Sequence, residues 1–429
     1  MAQEIYDALV IGGGPGGSSA ATFLARSGKR VLVLEKERFP RFHVGESLLP
    51  YNRALFEEMG VLSKVEAAGF NRKFGAQFHL GNGSKALKLV FRNGRFNHHT
   101  EALQVERAAF DHLLLQHARA SGAEVREGWT VTAAGNDSDR AYVQARAGAG
   151  ETQRLESRFL IDASGRANLT GNRDGLRLVH PKLKKVAIFA HFQGVALDEG
   201  SSAGDTVVVR LADKWFWLIP LSRQKVSVGC VMDQEEFARL AQTPTEAFTR
   251  AWQSSVAMRR RLERATPLGP FQTSGDFSYY NRRLIGPCLL RVGDAAGFMD
   301  PIFSAGVYLA MHSGKLAART VIDSLAAGGG GQARLRLYER RVFRAMRFFW
   351  DTSLAFYTTP FLELFLEPRP TFGLPDAIVA ILAGELEGGW RLGIRRKAFF
   401  GLVWLQRRMA LVPHISFAED SPASPDSVL

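Results

Sequence analysis

Cysteine is nearly missing from this sequence: Cys230 and Cys288 are the only two in 429 residues. Two thiols make neither a disulfide framework nor a Cys-built zinc site, and both sit in apolar stretches that suit small core residues. The 10 histidines show neither HxxxH nor HExxH spacing, so no metal centre is expected. No apolar run reaches the roughly 18 residues of a membrane-spanning helix. The first residues, MAQEIYDALVIGGG, lack a basic stretch and a cleavage site, which predicts a cytoplasmic protein rather than an exported one. Long basic runs are also missing. The net charge is +13, but the Lys and Arg are scattered and no nucleic-acid motif accompanies them. Nucleic acid is therefore disfavoured, and an acidic carrier or the phosphates of a cofactor suit the charge better. Hydrophobic content of 46% and charged content of 23% suffice for a sizeable core and two to three domains.

The most informative stretch is YDALVIGGGPGGSSAATFLARSGKRVLVLEKE, beginning at Tyr6. Ala8 to Ile11 read as a short buried strand, Ser18 to Ser27 as a helix of small residues, and Val31 to Leu34 as a second strand ending in Glu35. Between strand and helix, Gly12, Gly14 and Gly17 form GxGxxG. Gly12 permits the tight turn, Gly14 lets backbone approach a pyrophosphate, and Gly17 allows close helix–strand packing. The helix N-terminus attracts phosphates, and Glu35 can accept from a ribose hydroxyl. An acid at this place disfavours a 2′-phosphate, leaving FAD or NAD. Two later stretches repeat the strand-plus-glycine pattern: RFLIDASGR from Arg158, and LLRVGDAAGFMDPIFSAGVYLAM from Leu289, which contains Gly293-Asp294. Three such elements across some 300 residues suggest one cofactor held by a discontinuous domain. A helix N-cap is the plainer reading of Asp294 alone, but it leaves the other two elements unexplained.

Between these elements, residues 71–99 and 182–276 alternate apolar and polar, as in VAIFAHFQGV, TVVVRL, WFWLIPL and KVSVGCVM, and predict an antiparallel sheet that walls a substrate pocket. The segment from Glu235 to Ala265 reads as helical, interrupted at Pro244, and covers that sheet. Residues 332–416 read as amphipathic helices, basic and apolar together. A helical cap on the core is favoured over a membrane-surface role. The acidic, Pro/Ser-rich tail 417–429 reads as disordered. The expected organisation is thus 1–70, 100–181 and 277–328 for the nucleotide-binding domain, 71–99 and 182–276 for the second sheet, then the helices and tail.

In strand geometry Trp215 and Trp217 share one face, and Pro220 closes the strand or lies at its edge. By itself WxW is most simply a core strand. FPRFHVGESLLP (Phe39–Pro50), NRKFGAQF (Asn71–Phe78), WFWLIP (Trp215–Pro220) and DPIFSAG (Asp300–Gly306) change its context. Together with GxGxxG they resemble the FADH2-dependent halogenases of the flavin monooxygenase superfamily, over roughly residues 5–325. WxWxIP is the family hallmark. The KFGA and DPIFSAG forms are more similar to the enzymes acting on phenols and pyrroles than to those acting on tryptophan.

The resemblance implies an α/β fold: a Rossmann-like FAD-binding domain of the two-domain flavin monooxygenase type, an antiparallel β-sheet substrate domain and a C-terminal helical region. It implies that FADH2 from a separate NAD(P)H-dependent flavin reductase, O2, and chloride or bromide make hypohalous acid. Lys73 would deliver the halogen to a small aromatic substrate, free or held on an acyl or peptidyl carrier protein. Lysine suits this role because its amine can lose its proton on burial, which arginine cannot do. Without the KFGA match, a surface lysine beside Arg72 is the plainer reading. Gly12, Gly14, Gly17, Glu35, Arg41, Ser47, Arg107, Asp294 and Gly306 would contact FAD. Trp215, Trp217, Ile219 and Pro220 would line the passage and keep organic substrate from the flavin. Pro301, Ser304, Ala305 and Gly306 would hold the halide, in a turn entering a helix N-terminus. Two departures stand out. Phe303 occupies the place of a glutamate thought to assist the lysine in the tryptophan enzymes, and Ala305 replaces a commonly hydroxylated residue. A phenol or pyrrole, already electron-rich, fits the missing carboxylate. The competing readings are an aromatic monooxygenase on the same fold, a flavin-dependent reductase of an isoprenoid or lipid, and a non-enzymatic flavin-binding or carrier-docking protein.

Overall fold

A computed structural model describes residues 5–93, 98–136, 139–181, 183–275, 278–328, 331–367, 379–380, 383–385 and 389–418. The expected tail lies outside these residues from 419 onward, as does part of the glycine linker after Gly328. The chain divides into two compact units: Met1–Phe70, Val105–Pro181 and Phe277–Asp351 form the first, and Asn71–Gln104, Lys182–Asp276 and Thr352–Leu429 the second. The helical region 332–416 therefore does not stand apart. Its residues to Asp351 group with the first unit and the remainder with the second.

In the first unit, apolar β-branched runs form parallel strands buried on both faces. Tyr6–Ile11 pairs in parallel with Val31–Glu35 on one side and Gln153–Asp162 on the other, and the latter pairs in parallel with Leu289–Arg291. Ile11 aligns with Leu34 and with Asp162, and Asp162 with Arg291. This register brings the three strand-plus-glycine elements to one carboxyl edge of the sheet, where ligands of open α/β sheets bind. The first helix runs Pro15–Arg26, three residues earlier than expected at its start, because Pro15 is pre-set for the first helical position. Helix Gln332–Phe356 is tied to the sheet through its N-terminal half: Tyr338 donates to the Arg291 carbonyl, and Glu339 accepts from the Leu284 N–H.

In the second unit the strands run Thr266–Pro267, Lys185–Gln193, Val226–Asp233, Trp215–Pro220, Thr206–Arg210, Gly75–Leu80 and Ala86–Val90 across one sheet, with Gln272–Gly275 also on Lys185–Gln193. The expected antiparallel sheet is in fact mixed: Thr206–Arg210 pairs in parallel with Gly75–Leu80. Ala76 and its partner Thr206 lie 130 positions apart in the chain, so no hairpin constrains their direction. One face of this sheet packs Ile188, Phe192, Val209, Phe216, Leu218, Val228, Cys230 and Met232 against Phe248, Ala251, Met258 and Leu262 from the helices. The helical segment breaks at Pro244 as expected: Gln234–Leu240 ends before it, and Pro244 opens the next helix, Pro244–Gln253, behind a capping box of Thr243 and Glu246. On the C-terminal side, Phe365 packs edge-on against Phe78 with centroids 4.8 Å apart, and Phe361 meets Phe399 at 5.5 Å. Trp390, Ile394, Trp404 and Met409 remain exposed. No helix of the described residues is long and apolar enough to cross a membrane.

Phe248 is fully buried between Phe192, Phe216 and Phe271. Phe248→Ala should lower unfolding free energy by about 3–5 kcal/mol, read from the urea midpoint at unchanged slope.

Candidate active site

The first unit builds its cradle from glycines. Gly12 has φ +99°, and a Cβ there would lie 2.4 Å from the Ala163 carbonyl oxygen. A Cβ on Gly17 would lie only 1.9 Å from the Gly12 carbonyl oxygen, so helix and strand touch backbone to backbone. Gly14 is uncrowded, an added Cβ making only an ordinary contact with Arg41 Nη2 at 3.7 Å. Gly14 is also the N-cap of helix Pro15–Arg26 and supplies no side-chain cap, leaving first-turn N–H groups for an anion. These features fit the pyrophosphate of FAD. Glu35 is buried and braces the turn: Oε2 accepts from the Gly13 N–H at 2.7 Å, and Oε1 from the Glu37 N–H at 2.8 Å. Its carboxylate retains further lone pairs for a ribose hydroxyl.

Arg41, Ser47, Arg107 and Asp294 gather in the same unit. Arg107 is buried, and its Nε and Nη2 donate to both oxygens of Asp111 at 2.7 and 2.8 Å. Its Nη1 donates to the Val44 carbonyl at 2.9 Å, fixing the segment that carries Ser47. Arg41 Nη1 donates to the same Asp111 at 2.9 Å. Burial alone would raise the Asp111 carboxyl, but Arg107 and then Arg41 hold it below its ordinary range. Asp294 lies in the short turn after Leu289–Arg291, and its backbone carbonyl accepts from Tyr279 Oη at 2.8 Å. Burial pushes its carboxyl up to about 6 against the opposing pull of Arg107 and Arg166. Its carboxyl can accept a hydrogen bond from a hydroxyl, or donate one when protonated. Asp111 went unnoticed in the sequence, although its i,i+4 spacing from Arg107 signals the pair.

In the turn Asp300–Gly306, the Asp300 side chain accepts from the Ile302 N–H at 3.1 Å. Phe303 is buried, and Ser304 takes φ +56°, a left-handed conformation uncommon for serine. Pro301 begins a single turn of 3-10 helix that Ser304 closes, its N–H donating to the Pro301 carbonyl. Ala305 then caps helix Gly306–Ala326 and offers no side-chain acceptor. The first-turn N–H groups are again left for an anion.

The second unit holds Lys73, Trp215, Trp217, Ile219 and Pro220. All residues of strand Trp215–Pro220 are buried. Phe216 and Leu218 enter the helix-covered core, so alternation turns Trp215, Trp217 and Ile219 to the opposite face. The two indoles lie 5.9 Å apart at 53°. Trp215 Nε1 donates to Tyr357 Oη at 2.8 Å, and Trp217 Nε1 to Ser227 Oγ at 3.2 Å. Trp217 covers Gly229, where an added Cβ would lie 2.2 Å from the indole. Pro220 ends the strand, and its carbonyl accepts from Asn71 Nδ2 at 2.7 Å. Lys73 ends the strand Asn71–Lys73 and is only 3% exposed, with Nζ 5.5 Å from the centroid of Phe91. Burial lowers its amine to about 8, against an opposing pull from Asp205.

Residues 5–349 match the FAD binding domain family. A 1H-pyrrole-2-carbonyl-[peptidyl-carrier protein] chlorinase of Pseudomonas fluorescens is 30% identical, over 92% of this chain and 93% of its own. The chain belongs to the flavin-dependent halogenases. A tryptophan 2-halogenase of Chondromyces crocatus is 35% identical over 81% of this chain and 66% of its own length. The solved structure of a flavin-dependent brominase superposes with a TM-score of 0.83 at 27% identity, covering 94% of this chain and all of that one. FAD is the cofactor of this halogenase, and the α/β class with a second sheet and C-terminal helices is the family's fold.

The glycines give contrasting expectations. Gly14→Ala should leave the melting temperature unchanged but weaken FAD binding about tenfold, the loss of one charge-assisted hydrogen bond. Gly17→Ala should destabilise the protein by about 2–3 kcal/mol. Thermal melts and a flavin-fluorescence titration of both variants check this.

Proposed function

We propose that this halogenase installs chlorine or bromine on an electron-rich ring, a phenol or a pyrrole, by electrophilic substitution through Lys73. The observation that carries the reading is the burial of Lys73 at 3% exposure in the KFGA segment. A lysine on the surface would keep a fully hydrated ammonium, whereas this one sits near the point where ammonium and amine interchange. Reduced FAD with O2 supplies the oxidant that turns halide into hypohalous acid. The protein's own share is positioning and exclusion. The Ser304–Gly306 turn offers backbone N–H groups to the halide, with Pro301 and the left-handed Ser304 shaping it. Trp215, Trp217 and Ile219 present a bulky apolar wall that keeps the ring from the flavin, and Pro220 stops the strand beside it. Lys73 orients the hypohalous acid by hydrogen bonding or carries the halogen as a haloamine.

Gly12, Gly14, Gly17, Glu35, Arg41, Ser47, Arg107, Asp294 and Gly306 are the residues we assign to FAD. FADH2 comes from a separate NAD(P)H-dependent reductase. The substrate is a small aromatic ring, free or held on an acyl or peptidyl carrier protein, and the name of the Pseudomonas relative, whose pyrrole is carrier-bound, supports the carried form. With Phe303 in place of a carboxylate, the ring must bring its own reactivity, which favours phenol and pyrrole over indole.

Lys73→Ala should lower halogenated product by about 100-fold or more while FADH2 consumption continues. Isotope doublets in the product mass, from pyrroles and phenols, free and carrier-bound, with tryptophan alongside, provide the readout. A halide-independent gain of oxygen would replace this reading with hydroxylation. The pH profile then separates the two modes of Lys73. A hydrogen-bonding ammonium predicts activity falling as pH rises through about 8, and a haloamine predicts activity rising across the same range. Gly229→Ala, which forces the Trp217 indole to move, should reduce halogenated product per FADH2 consumed without abolishing FAD binding.

A further inference from the structure

Phe303 offers no carboxylate, and the second unit holds a buried acid beside the lysine's strand. Asp205 directly precedes strand Thr206–Arg210 and is 1% exposed. Its Oδ2 accepts from Gln77 Nε2 at 3.3 Å, while its Oδ1 has no hydrogen-bond partner among the described residues. A buried carboxylate oxygen left this way is costly and asks for a reason.

The loop around Asp205 is held tightly against the lysine's own strand. Gln104 Nε2 donates to the Gly204 carbonyl at 3.0 Å and to Thr206 Oγ1 at 2.9 Å. A Cβ on Gly204 would lie 1.8 Å from the Arg72 carbonyl oxygen, and a Cβ on Gly75 would lie 3.3 Å from Asp205 Oδ1. The loop thus presses on the chain just before and just after Lys73. Burial raises the Asp205 carboxyl above its ordinary range; the hydrogen bond from Gln77, then Lys88 and Lys73, pull it back toward the ionised form, and Asp198 adds to the rise. Gln77 also donates to Asp198 at 3.0 Å. Asp198 is in turn paired with Arg261 at 3.1 Å.

We propose that Asp205 is a positioning residue for the halogenase reaction, its buried carboxylate balancing the charge of Lys73 and holding that lysine's proton in place. The inference rests on the Lys73 reading above. The carboxylate favours the ammonium, and the burial of Lys73 favours the amine. Their opposition keeps the side chain poised between the two forms. Loss of the carboxylate leaves burial unopposed.

The test measures Lys73 itself and then turnover. Competitive labelling of the folded holoprotein with a small amine reagent across pH, quantified on the Lys73 peptide by mass spectrometry, gives the midpoint at which the amine becomes reactive. In Asp205→Asn this midpoint should move acidward by about one pH unit. The Lys73-dependent limb of the halogenation profile should move the same way whichever form of the lysine works. Asp205→Glu, which keeps the charge, should restore both toward the wild type. A merely structural Asp205 would lower product without moving either midpoint. An unmoved midpoint in folded, FAD-binding Asp205→Asn, with Lys73→Ala inactive, would overturn the role of Asp205 alone. An active Lys73→Ala would overturn the delivery reading and the role of Asp205 with it.

Discussion

The backbone contact between Gly17 and the Gly12 carbonyl is the constraint on which the nucleotide-binding unit depends. No side chain fits there, so the first helix begins directly off the first strand, with its N-terminus open. The rest follows from that start. Glu35 can reach back to the Gly13 N–H only because the second strand pairs in register, Ile11 beside Leu34. The same register places Asp162 and then Asp294 at the same edge. Arg107 and Arg41 meet on one carboxylate, Asp111, and that shared anchor holds two cations close together.

The second unit rests on a different rule, the period of two along a strand. From Trp215 to Pro220 every residue is buried, yet the two faces serve different purposes. One is an ordinary aromatic and aliphatic core closed by helices. The other displays indoles whose N–H groups are each satisfied by a hydroxyl, so the rings are fixed in orientation as well as in place. Lys73 and Asp205 are buried in this unit as well, an arrangement that costs stability.

Much of this was legible in the sequence, unevenly. Gly12, Gly14 and Gly17 announced their turn because a glycine requirement is local. The WxWxIP strand was legible because alternation is local too. The parallel pairing of Thr206–Arg210 with Gly75–Leu80 was not, since direction between distant strands is set by chain path rather than by composition. The break at Pro244 was legible because a proline cannot continue a helix but suits the first position of a new one, here behind the Thr243–Glu246 cap. The helices after residue 332 read as one region by composition, but packing assigns them to two. Asp205 was invisible: nothing in GDTVVVR marks an acid whose importance comes from Lys73, more than a hundred positions earlier.

The missing side chain at Gly229 makes positions 217 and 229 a single mechanical part. A strand residue without a side chain is a socket, and the indole of Trp217 is the piece seated in it. Neither can be exchanged alone without leaving a clash or a void. Exchanged together, a smaller ring above and a methyl below, they would roughly conserve the volume of the pair while changing the contour of that face. The shape of that face is thus recorded in two residues, while the ladder between Trp215–Pro220 and Val226–Asp233 keeps its register.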